Sequence, residues 1–149
     1  MDLIADLGSG PVGVDTAVFI YFIEEEMPFL GPVEALFKEA SAGRRQLVTS
    51  ALTLLEVLGV PYRARDSSLA ERYEALLTRS RGLHMLDLSP DLLRAAAQLR
   101  AVTGIKTPDA LQIAAALSAG CNAFVTNDRR IPAIPGLRIL QIAEYVTQR

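Results

Sequence analysis

Short apolar segments rich in β-branched residues alternate with helical patterns along this 149-residue sequence. The strand-like segments are residues 12–14, 46–49, 84–88, 123–126 and 138–140. Helical patterns cover residues 16–25, 33–42, a segment that begins at Ser50, 62–79, 89–102, a segment that begins at Thr107, and 141–146. Strands that alternate with helices predict an α/β fold whose parallel sheet is covered by helices on both faces.

Three of the predicted helices carry start or stop signals. Ser50 is a predicted N-cap, and Gly59 with Pro61 is predicted to end the helix that Ser50 opens. Ser89-Pro90-Asp91 places a capping serine before a proline at the first helical position. Thr107-Pro108-Asp109 repeats that pattern, so it predicts a second helix start of the same kind.

The composition favours one ordinary globular domain over residues 1–149, since 50% of the residues are hydrophobic and 21% are charged. No apolar run approaches the roughly 20 residues that span a bilayer, and the start of the chain is acidic, so we expect a cytoplasmic protein without a membrane anchor. The single cysteine, Cys121, excludes an internal disulfide framework and a multi-cysteine zinc site. The single histidine, His84, gives no catalytic serine or cysteine set.

Four carboxylates lie where a predicted strand ends or a predicted helix begins or passes. They are Asp15, Glu56, Asp109 and Asp128, and each is flanked by apolar segments. Ligands gather beyond the carboxyl ends of parallel strands, so we expect these side chains to share one pocket. Such a pocket would hold a hard divalent cation. Taken singly, each residue also has an ordinary use as a helix cap, a turn residue or a solvated charge.

The net charge of −2 conceals a strong asymmetry, since residues 1–40 carry −7 and residues 41–149 carry +5. Arginine supplies most of the positive charge, and guanidinium groups bind phosphate oxygens in pairs. Arg129 and Arg130 directly follow Asp128, so this pair is the candidate phosphate-binding element. For the other arginines a solvated surface is the ordinary interpretation.

Four sequence segments resemble the motifs of the PIN-domain ribonucleases, and in particular the VapC-type toxins of prokaryotic toxin–antitoxin pairs. The segments are VDTAVFI, TSALTLLEVL, KTPDALQIAAAL and FVTNDRRI, and the resemblance runs from about residue 13 to residue 147. It implies a three-layer α/β/α sandwich with a short, mostly parallel sheet. Residues 1–11, including GSGP at residues 8–11, are an N-terminal extension without a counterpart in these motifs.

The resemblance implies a Mg²⁺- or Mn²⁺-dependent endoribonuclease. Asp15, Glu56, Asp109 and Asp128 would be the catalytic and metal-binding carboxylates. Thr126 and Asn127 would hydrogen-bond an acid or a water held at the site. With an RNA substrate, Arg129 and Arg130 become the candidate RNA-binding residues. Toxins of this kind usually dimerise and are inhibited by a small antitoxin, so a homodimer and an antitoxin partner are also expected. The number of metal ions and the RNA target stay open.

Two alternatives remain at this stage. A signalling receiver domain also uses a parallel sheet with acids at strand ends and binds Mg²⁺ to accept a phosphoryl group. It would need paired acids after the first strand and a lysine late in the chain, but Asp15 stands alone and no lysine follows Lys106. The other alternative is a PIN domain that binds RNA or protein without catalysis, and the presence of all four acids argues against it.

Overall fold

A five-stranded, fully parallel sheet forms the centre of the molecule, in the strand order β3-β2-β1-β4-β5. The computed structural model describes residues 2–146, so Met1 and residues 147–149 of the expected domain lie outside the described part. The strands are β1 (Val12–Val14), β2 (Leu47–Ser50), β3 (Leu83–Leu86), β4 (Ala123–Thr126) and β5 (Arg138–Gln141). The predicted parallel α/β fold is therefore confirmed, with β3 ending two residues before the predicted strand end.

Seven α-helices and one 3₁₀-helix occur within the described residues. They are α1 (Leu3–Leu7), α2 (Thr16–Ile23), α3 (Leu30–Ser41), α4 (Leu52–Arg63), α5 (Ser67–Arg79), α6 (Pro90–Thr103), α7 (Thr107–Ser118) and the 3₁₀-helix Ile142–Tyr145. The helix predicted at residues 141–146 is thus a single 3₁₀ turn. Helix α1 was not predicted, and it begins where the Asp2 side chain accepts a hydrogen bond from the Ile4 amide.

The predicted helix starts are correct in one case and shifted in two. Ser89 caps α6, since its hydroxyl accepts a hydrogen bond from the Leu92 amide at 3.2 Å. The cap of α7 is Lys106 rather than Thr107, and it makes no side-chain cap bond. Ser50 ends β2, and Ala51 takes the cap position of α4, although the Ser50 hydroxyl still accepts from the Leu52 amide at 3.3 Å.

The predicted end of α4 at Gly59 and Pro61 is wrong. The helix continues through both residues to Arg63. Pro61 removes one backbone donor, but it is buried and the helix packs against α5, so tertiary contact outweighs the local cost. The predicted amphipathic helix of residues 62–79 is accordingly shorter, because α5 begins only at Ser67, after an Asp66 cap.

Helices cover both faces of the sheet and enclose two apolar cores. Helices α6 and α7 supply the core on one face, and helices α1 to α5 supply most of the core on the other. Gly13 in β1 lies directly under α7, where an added Cβ would stand 2.6 Å from the Ala116 methyl and 2.7 Å from the Phe124 ring. Helix α7 therefore lies unusually close to β1, on the strand that leads to Asp15.

The segment before β1 is anchored at the amino ends of the strands. Arg45 donates to the carbonyls of Gly8 and Gly10 at 2.7 and 2.9 Å. Arg138 donates to the Leu7 carbonyl at 2.7 Å, and Leu7 itself is 1% exposed. The N-terminal extension is therefore packed into the fold at the edge of the sheet away from the four acids. Among residues 2–146, no helix combines the length and the apolar character that crossing a bilayer requires.

Candidate active site

The four predicted acids line one open cavity of about 510 Å³ at the carboxyl edge of the sheet. Asp15 directly follows β1, and Asp128 lies two residues beyond the end of β4. Glu56 projects from the second turn of α4, and Asp109 lies in the first turn of α7. Four elements that are distant in sequence thus bring these side chains to the same cavity.

Asp15 is the most enclosed of the four acids. It caps α2, because Oδ1 accepts a hydrogen bond from the Thr16 amide at 2.8 Å. Its other oxygen, Oδ2, accepts from the Thr126 hydroxyl at 2.6 Å. Burial raises the pKa of Asp15 above its ordinary value, the two hydrogen bonds oppose that rise, and the charges of Glu56 and Asp128 add to it.

Glu56 reaches the cavity from an exposed position on α4 and is linked to α2. Its Oε1 accepts a hydrogen bond from the Thr16 hydroxyl at 2.6 Å. Thr16 therefore connects two of the acids, since its backbone amide binds Asp15 and its side chain binds Glu56.

Asp109 is half-buried and lies among like charges. Burial raises the pKa of Asp109, and the carboxylates of Asp15 and Asp128 raise it further, while Arg130 and Lys106 act in the opposite direction. Burial is the largest cause of the raised pKa of both Asp15 and Asp109, and the charges of the other acids add to each rise.

Asp128 is neutralised within its own loop. Both of its carboxylate oxygens accept from the Arg130 guanidinium at 3.0 Å, and Oδ1 also accepts from the Arg130 backbone amide at 2.9 Å. These bonds lower the pKa of Asp128, with the guanidinium hydrogen bonds as the largest cause. Asp128 and Arg130 therefore form one paired unit at the rim of the cavity.

The two residues proposed to support the acids behave differently. Thr126 is fully buried and donates to Asp15, while its hydroxyl also accepts from the Asp128 amide at 3.1 Å. Asn127 lines the cavity but hydrogen-bonds to none of the four acids. Its amide nitrogen donates to the Tyr21 hydroxyl at 3.2 Å, and its amide oxygen accepts from the Ala143 amide at 3.1 Å. Asn127 thus ties the wall of the cavity to the 3₁₀-helix.

The two predicted RNA-binding arginines, Arg129 and Arg130, lie in different surroundings. Arg130 lines the cavity, whereas Arg129 points away and forms an ion pair with Glu144 at 3.4 Å. A second cation, Lys106, lines the cavity beside Arg130 and was not singled out in the sequence. The positive charge at the site therefore comes from Lys106 and Arg130.

Sequence reasoning also missed Thr16 and Gln112, both of which line the cavity. Thr16 stands next to a predicted acid, and Gln112 is the one amide in the apolar run ALQIAAAL. A buried polar residue within an apolar helix face needs hydrogen-bond partners. The position of Gln112 in this run was therefore the available signal of a buried polar contact.

The donor chemistry of the cavity suits a hard divalent cation, since four carboxylates face only two cationic side chains and the lining residues include no histidine or cysteine. A bound cation would offset both the burial of Asp15 and Asp109 and the repulsion from the other carboxylates, which together raise the pKa values of these two acids. Within residues 2–146, however, no three acid, histidine or cysteine side chains are already drawn together as a ready ligand set.

Comparison with known proteins gives a consistent picture. A family model described as the PIN domain matches residues 12–137. No match was found among curated proteins by sequence comparison. Among solved structures, the chain is similar to VapBC2 from Rickettsia felis bound to a DNA fragment of its promoter, with 18% identity and a TM-score of 0.65. That alignment covers 87% of this chain and 97% of the other.

Two further structures share the fold. A toxin–antitoxin complex from Klebsiella pneumoniae is 18% identical with a TM-score of 0.61, over 86% of this chain and 95% of the other. VapC20 from Mycobacterium tuberculosis, a toxin that cleaves the sarcin–ricin loop, is 17% identical with a TM-score of 0.65, over 80% and 91% of the two chains.

Proposed function

This chain belongs to the PIN-domain family, and from that premise we propose that it is a Mg²⁺- or Mn²⁺-dependent endoribonuclease that hydrolyses phosphodiester bonds of RNA. One observation carries the proposal: four carboxylates from four separate elements line one cavity, and two of them have pKa values raised by burial and by the other acids. A divalent cation bound among these carboxylates would compensate their negative charge.

Asp15, Glu56 and Asp109 are the residues that would hold the cation, and Asp128 would join them when it separates from Arg130. When bound, Mg²⁺ or Mn²⁺ would supply an activated water and compensation for charge on the phosphoryl oxygens. Thr126 holds the Asp15 carboxylate in place through its hydrogen bond. Lys106 and Arg130 supply positive charge where the RNA backbone would pass, and a guanidinium freed from Asp128 would bind a phosphate.

The proposed biological role is the toxin of a toxin–antitoxin pair, held inactive by a small protein and acting in the cytoplasm, where its RNA substrate is. The support is the shared fold with chains from two toxin–antitoxin complexes and with an RNA-cleaving toxin. The outer face of α4 carries exposed apolar residues, Leu55 at 72% and Tyr62 at 63% exposure. These residues would contact a second copy in a homodimer or the antitoxin.

The strand order disfavours the receiver-domain alternative. Receiver domains have the doubly wound order 2-1-3-4-5, whereas this sheet has the order 3-2-1-4-5. The family match to residues 12–137 points the same way. The alternative of a non-catalytic RNA-binding PIN domain remains as an outcome of the experiment below.

The decisive experiment is cleavage of RNA by purified protein with Mg²⁺ or Mn²⁺ and with EDTA. Cleavage should require the cation and should be lost in Asp15→Asn and in Asp109→Asn. The matched control is Asp91→Asn, which removes an exposed acid paired with Arg94 on α6, outside the cavity. RNA binding without cleavage by the wild type would support the non-catalytic alternative, and cleavage that survives EDTA would reject the metal-dependent one.

A further inference from the structure

Gln112 is buried in an otherwise apolar part of α7, with 3% of its surface exposed. Its neighbours Ala110, Leu111, Ile113 and Ala114 are all buried hydrophobic residues. An amide at such a position costs free energy unless its oxygen and nitrogen are both hydrogen-bonded. The contacts that this amide makes therefore explain why a polar side chain is placed there.

The orientation of the Gln112 amide is determined by Ser50 at the end of β2. The Ser50 backbone amide donates to Oε1 at 3.2 Å, and the Ser50 hydroxyl donates to the same oxygen at 2.9 Å. Because a backbone N–H can only donate, the oxygen must face Ser50. The amide nitrogen is thereby turned toward α2 and α4.

The side-chain nitrogen of Gln112 donates both of its hydrogens to threonine hydroxyls. It donates to Thr16 Oγ1 at 3.1 Å and to Thr53 Oγ1 at 2.7 Å. The Thr16 hydroxyl therefore acts as the acceptor toward Gln112, and its single hydrogen is left for the Glu56 carboxylate, 2.6 Å away. The direction of the hydrogen bonds runs from Ser50 through Gln112 and Thr16 to Glu56.

We propose that Gln112 is a positioning residue for Glu56, acting through the Thr16 hydroxyl. This inference rests on the proposed function, in which Glu56 is a ligand of the divalent cation. Glu56 is on an exposed face of α4, where a free glutamate side chain samples several rotamers. The Thr16 hydroxyl holds the carboxylate at the cavity before the cation arrives, and partners of this kind raise metal affinity.

A purely structural role for Gln112 predicts a different result. The amide also joins β2, α4 and α7, so its loss lowers stability in either case. Only the positioning role lowers the affinity for the cation beyond what an equally damaging change in the same helix produces. The measurement must therefore be cation affinity, with stability measured beside it.

The experiment is an Mn²⁺ titration followed by electron paramagnetic resonance, which needs no RNA and no turnover. The variants are Gln112→Met, which keeps the length and removes the amide, Thr16→Val, which removes the hydroxyl, and the double substitution. Leu111→Ala is the matched control, since Leu111 is the buried neighbour of Gln112 on α7 and makes no polar contact. Thermal melts of all proteins report their stability.

Gln112→Met and Thr16→Val should each weaken Mn²⁺ binding roughly 10-fold. If Gln112 acts through Thr16, the double variant should lose little more than either single variant, whereas independent effects would multiply to roughly 100-fold. Leu111→Ala should lower the melting temperature and leave Mn²⁺ affinity within about twofold of wild type. Should Gln112→Met fail to fold, Gln112→Leu replaces it, because it also removes the amide and adds no charge to the cavity.

Equal Mn²⁺ affinities for Gln112→Met and Leu111→Ala would overturn the positioning role while leaving the proposed function intact. Multiplicative losses in the double variant would overturn the route through Thr16. Absence of Mn²⁺ binding in the wild type would overturn both the proposed function and this inference.

Discussion

Asp15 and Asp109 have raised pKa values because burial and the neighbouring carboxylates both disfavour their charged forms. An acid whose pKa is higher in the folded protein stabilises the fold while it is protonated, and it loses that contribution as the pH rises through the raised pKa. For both residues the loss therefore begins above the ordinary value of 3.8. Asp128 has the opposite effect. Because its pKa is lowered, its charged form stabilises the fold, and this stability is lost only when the pH falls below 3.8.

Asp109→Asn should therefore raise the melting temperature of the metal-free protein at neutral pH. The difference from wild type should grow as the pH rises through the raised pKa of Asp109, because only the wild type then carries the repelling charge. Melting curves in EDTA from pH 4 to pH 8 measure this difference. Asp91→Asn, at an exposed acid, is the control and should show no such trend. A variant less stable than wild type across this range would contradict the crowding of the acids.

Adding Mg²⁺ should reverse the order of the melting temperatures, so that the wild type becomes more stable than Asp109→Asn. A cation at about 100 times its dissociation constant stabilises the wild type by about 2.7 kcal/mol if it does not bind the unfolded chain. That corresponds to a rise of roughly 5–10 °C in melting temperature for a domain of this size. Asp109→Asn should lose most of the rise, and equal shifts in both proteins would exclude Asp109 as a ligand.

Arg130 and Arg129 make a matched pair of test positions, because one lines the cavity and the other is paired with Glu144. Arg130→Ala should weaken RNA binding. It should also make the plot of log affinity against log salt concentration shallower by a slope of roughly 0.7, the value for one single-strand phosphate contact. Arg129→Ala should change neither quantity appreciably. Binding to catalytically inactive Asp15→Asn protein at several salt concentrations measures both effects. Similar behaviour of the two variants would mean that the RNA follows a different surface.

At the scale of elements, the contact between β1 and α7 depends on Gly13. Gly13→Ala should lower stability by about 1–3 kcal/mol, because its methyl group would collide with Ala116 and Phe124. Gly59→Ala is the contrasting variant, since Gly59 lies within α4 with no atom near the added methyl. It should stabilise the protein by about 0.5–1 kcal/mol through helix propensity. Chemical denaturation of the two variants tests both signs, and stabilisation by Gly13→Ala would contradict the close packing.

The sequence was sufficient to predict elements whose signals are local. Strands β1 and β4 have the predicted bounds, since each is a short apolar run that ends at a polar residue. The end of α4 was wrong because Gly59 and Pro61 are local breakers, whereas packing against α5 is not visible in the local pattern. The links from Gln112 to Thr16 and Thr53 were missed for a similar reason. They join residues 96 and 59 positions apart, and no single motif contains both partners.

For the molecule as a whole, the two ends of the parallel strands carry different features. The carboxyl edge carries the acids, and the amino edge carries the anchored segment before β1, with Leu7 in the core. The sequence identified the acids because their neighbouring residues form recognisable motifs. It left residues 1–11 without a role, since Arg45 and Arg138 reach them from distant positions.

Leu7→Ala should destabilise the protein by roughly 2–5 kcal/mol, because it opens a cavity in the core. Mn²⁺ affinity of the folded fraction should stay at the wild-type value, since the substitution is at the opposite edge of the sheet from the acids. Val102→Ala, at a side chain that is 86% exposed, should stay within about 0.5 kcal/mol of wild type. Denaturation curves and Mn²⁺ titrations of both variants make the comparison, and a loss of affinity in Leu7→Ala would show that the two edges are coupled.

The absence of a side chain at Gly13 also has a consequence for the geometry of the site. Helix α7 rests directly on β1, so Asp109 at the start of the helix and Asp15 at the end of the strand belong to one tightly packed block. Glu56 is carried by α4, and its hydrogen bond to the described residues is the one from the Thr16 hydroxyl. The separation of Asp15 and Asp109 is therefore set by the contact of α7 with β1. The distance of Glu56 from these two acids depends instead on where α4 lies and on the Thr16 hydrogen bond.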